Sequence, residues 1–159
     1  MEITIKPAFR EREAIQELLV EYTSMVVAED PRYKDFLALQ RFDSEVAHPE
    51  KKYCRLYLVE VVGIPAGCIA MQKLDESRCE MKRLYIRPAF RGKGIARRLV
   101  EMLLADARKD GYEAMVLDTF PFLRQAVNLY RDLGFYEIPS YNDSPLDSTI
   151  YMRKDLCPA

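Results

Sequence analysis

The sequence predicts a single domain, residues 1–159, of mixed α+β class with a mainly antiparallel sheet. Three observations carry this reading. The periodicities run strand, helix, helix and then three strand candidates in succession; the last third alternates helices with short strands; and no repeat, low-complexity segment or linker interrupts the 159 residues. A chain of this length buries roughly two-thirds of its unfolded surface, enough for one sizeable core.

"EITIK" (Glu2 to Lys6) alternates polar and apolar residues and reads as a first strand, ended by Pro7. From Arg10 to Glu29, Ile15, Leu18, Leu19, Tyr22, Met25 and Val26 recur at helical spacing, which predicts a long amphipathic helix. A second helix is predicted from about Tyr33 to Val46, with Phe36, Leu37, Leu39 and Phe42 on its apolar face and His48-Pro49 closing it. Three strands follow: Cys54 to Gly63, Ala66 to Leu74, and Cys79 to Arg87. Gly63-Ile64-Pro65 and Asp75-Glu76-Ser77 separate them as hairpin turns. Gly94 to Lys109 is helical, with Gly111 as its stop. "AMVLDT" (Ala114 to Thr119) is a short apolar strand, Pro121 to Leu133 a helix stopped by Gly134, and "FYEI" and "TIYMRKDL" two last strands around the Pro139 to Ser148 loop.

The chain carries a net charge of −1, so nothing global points to nucleic acid or a membrane surface. No apolar run approaches the ~20 residues of a membrane span and the N-terminus lacks a secretory pattern, so a cytoplasmic protein is expected. Cys54, Cys68, Cys79 and Cys157 lack CxxC spacing, and His48 has no second ligand at metal-binding distance in sequence. Reduced cysteines in or near a core, and no metal, are the expectation.

Charge is concentrated locally. In "MKRLYIRPAFRGKGIARRLVEMLLADA", residues 81–107, Lys or Arg occupies seven positions between Lys82 and Arg98 and no acid intervenes. Strand, Pro, two Gly and then a helix aims unpaired backbone N–H groups and the positive end of a helix dipole at an anion. A Walker loop is excluded because Gly94, not Ser or Thr, follows Lys93, and a dinucleotide fingerprint because Arg97 stands where a third Gly or Ala belongs. The segment Arg91-Gly92-Lys93-Gly94-Ile95-Ala96 fits a third pattern, Arg/Gln-x-x-Gly-x-Gly/Ala, placed just after a strand of an antiparallel meander and opening a helix.

With "CEMKRLYIRPAFRGKGIARRLVE" followed downstream by "VLDT" and "LYRDLGF", the chain resembles, over nearly its whole length, the GNAT superfamily of acyl-CoA-dependent N-acetyltransferases. The resemblance implies a central sheet whose fourth strand bulges away from the fifth, flanked by about four helices. It also implies acetyl-CoA as co-substrate and no metal. Backbone amides of Arg91, Gly92, Lys93, Gly94, Ile95, Ala96 and Arg97 would then hold the pyrophosphate, with the side chains of Arg91, Lys93, Arg97 and Arg98 neutralising charge. Backbone groups near Leu84, Tyr85 and Ile86 would pair with the pantetheine arm and polarise the thioester carbonyl. Glu80 falls where some members carry a general base, and Tyr130 matches the family's usual acid. Many members have Asn where Leu123 stands here, and Asn128 is the substitute candidate for that cofactor contact. No cysteine matches a nucleophile position, so direct transfer to a primary amine in a ternary complex is implied.

The acceptor side would be built by the first two helices and the Pro139 to Ser148 loop, with Tyr22, Phe36, Gln40, Tyr141 and Asp143 as lining candidates by position. Small amines, amino acids, antibiotics and protein amines all stay open as acceptors. Exposed strands at the C-terminal end could pair between subunits, as in the homodimers common in the family, or "TIYMRKDL" could equally close its own sheet. Two rival readings differ in their needs. A silent acyl-CoA-binding or sensor domain would keep the glycine cradle but not require Glu80 or Tyr130, and a nucleic-acid module would want a broad basic face with stacking aromatics.

Overall fold

The computed structural model describes residues 1–156. One seven-stranded sheet runs in the order β1-β2-β3-β4-β5-β7-β6. Its strands are β1 (Ile3–Pro7), β2 (Arg55–Val61), β3 (Ile64–Lys73), β4 (Arg78–Ile86), β5 (Ala114–Thr119), β6 (Tyr136–Ile138) and β7 (Ile150–Asp155). The helices are α1 (Arg12–Glu29), α2 (Tyr33–Leu39), α3 (Phe42–Ala47), α4 (Pro49–Lys52), α5 (Ile95–Lys109) and α6 (Arg124–Asp132). Every neighbouring pair is antiparallel except β4 and β5, which run parallel and pair at only three positions, from Arg78 opposite Ala114 to Glu80 opposite Val116.

Strand alternation divides the apolar residues between two faces. On one face Val59, Ile69, Met71, Met81, Met115, Leu117 and Met152 pack with Ile95, Leu99, Val100 and Leu103 of α5. On the other, Leu56, Leu58, Cys68 and Ala70 pack with Ile15, Leu18 and Leu19 of α1. A third cluster joins Val26 of α1 to Tyr33, Phe36 and Leu37 of α2 and to Phe120 and Leu146.

Several local expectations change. The helix expected over Tyr33 to Val46 is two helices, because Arg41 adopts φ 56°, a left-handed conformation that no α-helix continues through. The first hairpin turn is Val62-Gly63, with φ 50° and 77°, and not Gly63-Ile64-Pro65. Two left-handed residues match the strand twist of a two-residue hairpin, so Ile64 and Pro65 join β3, with Pro65 opposite Glu60 where the register shifts. The second turn is as expected: Asp75 Oδ1 accepts from the amides of Ser77 and Arg78 at 3.0 and 2.7 Å. Helix α6 begins at Arg124 rather than at Pro121. The helix count is six instead of about four, the additions being the short α3 and α4. Cys68 and Cys79 are buried free thiols, Cys54 is exposed, and Cys157 lies outside the described residues.

The expected bulge in β4 is present. Cys68 faces Tyr85 and Ala70 faces Lys82, so one residue of β3, Ile69, stands opposite both Arg83 and Leu84. Arg83 itself sits at φ 60°, a conformation costing a non-glycine residue roughly 1–2 kcal/mol. Its guanidinium, 5% exposed as a residue, holds that geometry. It donates to both carboxylate oxygens of Glu45 at 2.8 and 2.9 Å, to the Tyr33 hydroxyl at 2.9 Å and to Gln40 Oε1 at 3.2 Å. The break at Arg41 turns α3 so that Glu45 meets this guanidinium, while Lys52 of α4 adds a second cation at 2.8 Å. Across the sheet Gly67 leaves room for the bulge: a Cβ there would collide with the Tyr85 carbonyl and lie 2.7 Å from Ile86 Cδ1.

Burial pushes the Glu45 carboxyl up, but the Arg83 hydrogen bond and charge, with Lys52, bring it down to about 2 from 4.5. A depressed carboxylate contributes stability that is complete above pH 4.5 and lost as pH falls toward 2, here about 3 kcal/mol. Glu45→Gln should therefore cost about 3–5 kcal/mol at pH 7, by leaving Arg83 buried without its counter-charge. It should also flatten the fall of stability below pH 4.5, as followed by urea unfolding at a series of pH values; wild-type and variant curves of equal slope would show that Glu45 does not carry this dependence.

Candidate active site

Beyond Glu80 and Val116 the strands β4 and β5 part, and the inner edge of β4 from Lys82 to Ile86 has no strand beside it. The cleft that opens there has a volume of about 920 Å³. It begins at the loop before α5, passes between the two strand edges and ends against Tyr22 of α1 and Tyr33 of α2, with Tyr130 of α6 on its wall.

At the mouth, Gly92 and Gly94 take φ 79° and 74°, and nothing lies within 4 Å of where a Cβ would project. Both glycines are needed for left-handed backbone, and the space in front of them is open. Between Arg91 and Arg98, whose amides bond to the Pro88 and Gly94 carbonyls, the amides have no backbone acceptor, so the free N–H groups of the first turn of α5 face an accessible concavity.

The seven basic residues of this stretch do not act together. Arg83 is spent on Glu45, and Arg87 pairs with Glu21 at 2.6 Å and Glu17 at 3.2 Å, bracing β4 to α1. Lys82 points into the far end of the cleft. Arg91, Lys93, Arg97 and Arg98 are exposed around the cradle. Even here Arg91 donates through Nε to the Ile86 carbonyl at 2.9 Å, and Arg97 pairs with Glu101 at 3.0 Å.

Leu84, Tyr85, Ile86, Arg91, Gly92, Gly94, Ile95, Ala96, Arg97 and Tyr130 all line the cleft, as does Leu123. Lys93 is exposed beside it, and Asn128 is exposed on α6 and is not part of the wall. Tyr130 is buried, its ring 5.8 Å from that of Phe135, and burial first, then the Asp118 charge, raises its phenol above the usual range. It is a protonated donor at any working pH.

Glu80 lies on β4 but is not in the cleft wall. It is 3% exposed, accepts from Gln72 Nε2 at 2.6 Å and from the Tyr141 hydroxyl at 2.5 Å, and so ties the Pro139 to Ser148 loop to the sheet. Two carboxylates do line the cleft: Glu29, exposed at its rim, and Asp118, two residues past the last β4–β5 pair. Asp118 Oδ2 accepts from Asn142 Nδ2 at 2.8 Å, and Asn142 Oδ1 in turn accepts from the Tyr151 hydroxyl at 2.7 Å, a chain that fixes the carboxylate. Of the acceptor-side candidates, Tyr22 lines the cleft, Phe36 is in the third apolar cluster, Gln40 serves Arg83, Tyr141 serves Glu80 and Asp143 is exposed. Lys82 and Asp118 went unremarked as site residues in the sequence. For Asp118 the available signal was one acid in an otherwise apolar strand, whereas Lys82 is masked by Arg78, Glu80 and Arg83 on the same strand. Among the described residues no three His, Cys, Asp or Glu side chains gather as a metal site, and no helix is long and apolar enough to cross a membrane.

Comparison with known proteins agrees with this geometry. The family model "Acetyltransferase (GNAT) family" matches residues 12–135. The uncharacterized N-acetyltransferase C1271.07c of Schizosaccharomyces pombe is 36% identical over 126 residues, 76% of this chain and 77% of that protein. The uncharacterized N-acetyltransferase YjgM of Escherichia coli is 39% identical over 82 residues, 52% of this chain, so the match spans about half (48%) of that protein. Among solved structures, a GNAT-family acetyltransferase of Staphylococcus aureus Mu50 superposes with a TM-score of 0.76 at 18% identity, over 98% of this chain and 100% of that one. Salmonella typhimurium yncA, crystallised with its cofactor acetyl-CoA, gives 0.67 at 21%, over 100% and 96%. At such identities the structural likeness is one of fold, whereas the family model covers most of the sequence. A parallel strand pair that splays after three residue pairs, a glycine cradle at its mouth and the family match over residues 12–135 place the chain in the GNAT acetyltransferase family.

Proposed function

We propose that the protein transfers an acetyl group from acetyl-CoA to a primary amine by direct attack in a ternary complex. The observation that carries this is the unpaired inner edge of β4, which runs from the cradle of free amides to Tyr130. The residues fit the cofactor: the open space before Gly92 and Gly94 suits a phosphate, and the exposed Arg91, Lys93, Arg97 and Arg98 supply charge around it.

Each step has a group on the cleft wall. An ammonium with pKa near 10.4 is neutral in only about one molecule in 10³ at pH 7, so a proton acceptor beside it raises the reactive fraction. Asp118 takes that proton; its fixed carboxylate lines the cleft, while Glu80, expected there from its place on β4, is enclosed behind the wall by Gln72 and Tyr141. The amine nitrogen then bonds to the thioester carbonyl carbon, and amides of the β4 edge near Leu84 to Ile86 hold the charge growing on its oxygen. As the C–S bond breaks, Tyr130 gives its phenol proton to the departing thiolate. A covalent acyl-cysteine is disfavoured: burial pushes the thiols of Cys68 and Cys79 up to about 12, and neither lines the cleft.

Thermal unfolding with acetyl-CoA, CoA, NAD and ATP tests the cofactor. At about 100 times Kd the two coenzyme A species should add about 2.7 kcal/mol, a shift of several degrees, and NAD and ATP should add nothing. Gly94→Asp, which puts a carboxylate and a strained left-handed Asp in the cradle, should abolish the shift; an undiminished shift would remove the cradle from the binding site.

Thiol release with a screened amine acceptor tests the proton path. Tyr130→Phe should lower kcat about 10²-fold with little change in acetyl-CoA affinity, and Asp118→Asn should lower kcat/KM by roughly 10²–10⁴. Glu80→Gln should stay within about tenfold of wild type; a loss as large as that of Asp118→Asn would return the base role to Glu80. Binding of acetyl-CoA without turnover on any amine would identify an acyl-CoA-binding module instead of an enzyme.

A further inference from the structure

The acceptor end of the cleft holds two opposite charges that the fold leaves unmatched. Lys82 and Asp118 project from β4 and β5 on the same side of the sheet, opposite to Met81 and Leu117, just past the point where the strands separate. The charge of Glu80, two residues back along β4, and after it that of Asp118 act on Lys82, yet no ion pair joins Lys82 to either. Lys82 is only 7% exposed and has no hydrogen-bond or ion-pair partner among the described residues. Burial, and then the neighbouring Arg83, lower its pKa. Its stem is enclosed while the ammonium reaches the cleft, and Arg83 beside it is already matched by Glu45, so a ligand carboxylate that takes the place of water there gains a charge-assisted pair with a cation held in position. Asp118 has one oxygen held by Asn142, leaving the other open to the cleft. Glu29, the other acid along this part of the wall, is exposed at the rim.

Given the acetyltransferase reading above, on which this rests, we propose that the acceptor is a free amino acid: its carboxylate pairs with Lys82 and its ammonium with Asp118. One small zwitterion satisfies both side chains at once, with its two charged groups a few ångströms apart. The ammonium then already lies at the carboxylate that takes its proton, and loss of that proton frees the nitrogen that bonds to the acetyl carbon. A protein lysine or N-terminus is a poorer fit because its own carboxyl is tied up in a peptide bond and brings no charge to Lys82. In these terms Lys82 is a specificity-determining residue for the acceptor and takes no part in cofactor binding.

The test is initial-rate thiol release from acetyl-CoA with the free L-amino acids, and with the decarboxylated amine and the methyl ester of the best of them. Wild-type enzyme should prefer the amino acid over both carboxylate-free forms by about 100-fold or more in kcat/KM, because those forms leave the buried Lys82 unpaired. In Lys82→Met that ratio should fall to about one, with the affinity for acetyl-CoA, measured by thermal shift, unchanged. Equal or better use of the carboxylate-free amines by wild-type enzyme would overturn the proposal without needing any variant. So would a Lys82→Met protein that binds acetyl-CoA and keeps the full ratio. These outcomes are separate from failure of the acetyltransferase reading, which would show as no thermal shift with acetyl-CoA or no turnover of any amine.

Discussion

The Arg83 bulge is the constraint on which the site depends. Parallel strands joined by a helix ordinarily pair along their length, and β4 and β5 would do so if β4 ran straight. A bulge increases local twist and bends the strand that carries it. Here it takes β4 away from β5 just where the third residue pair ends. The left-handed conformation at Arg83 costs roughly 1–2 kcal/mol, whereas each hydrogen bond to its charged guanidinium contributes roughly 1.5–3. Four such bonds, to Glu45, Tyr33 and Gln40, more than offset the strain. The same bonds attach α2 and α3 to the sheet, so the opening of the cleft and the placing of its far wall are one event. Gly67 is the complement on β3, where any side chain would press on the displaced β4 backbone.

That coupling explains how seven neighbouring basic residues serve several purposes. A run of like charge would repel itself if left together; the fold disperses it along a strand and around a helix start. Strand alternation sends Lys82 to the α1 side, the extra residue of the bulge brings Arg83 to Glu45, and Arg87 reaches across to Glu21. After the strand ends there are no nearby acids except Glu101, and the remaining four cations surround the open amides of α5. Under the proposed reading, cofactor charge is thus met at one end of the cleft, while the unpaired Lys82 stands at the other.

Much of this was legible in the sequence because the signals are local. Alternation gave the strands, helical spacing gave α1 and α5, and the Gly92-Lys93-Gly94 stretch before an apolar helix marked the cradle without any tertiary knowledge. Tyr130 followed from family resemblance and proved to be in the wall. What the sequence hid depends on pairing. The break at Arg41 lies inside an apolar period that reads as one helix, since nothing in the side-chain pattern announces a left-handed backbone at an arginine. The hairpin slipped by a residue or two because Pro65 looks like a turn residue unless the register shift opposite it is known. Glu80 stood at the right strand position, but only the loop from Pro139 to Ser148, remote in sequence, decides that its carboxylate is enclosed. Asp118, by contrast, was one acid in an apolar strand, and its importance came from where β4 leaves it.

Separate elements build the two ends of the cleft. The cradle consists of backbone from one loop and the first turn of α5, anchored by Ile95 and Leu99 in the core on one face of the sheet. The acceptor end is made by α1, α2 and side chains on the opposite face, held by Arg83 and by the Asn142 and Tyr141 contacts of one loop. Backbone amides bind phosphate whatever their side chains are, so the cofactor end tolerates sequence change outside its glycines. The acceptor end has no such tolerance, because a charge held in position, such as that of Lys82, pairs only with an opposite one. On the proposed reading, acceptor choice resides in a few polar side chains at the far end of the splay, while the strands and amides proposed to bind the acyl donor can stay as they are.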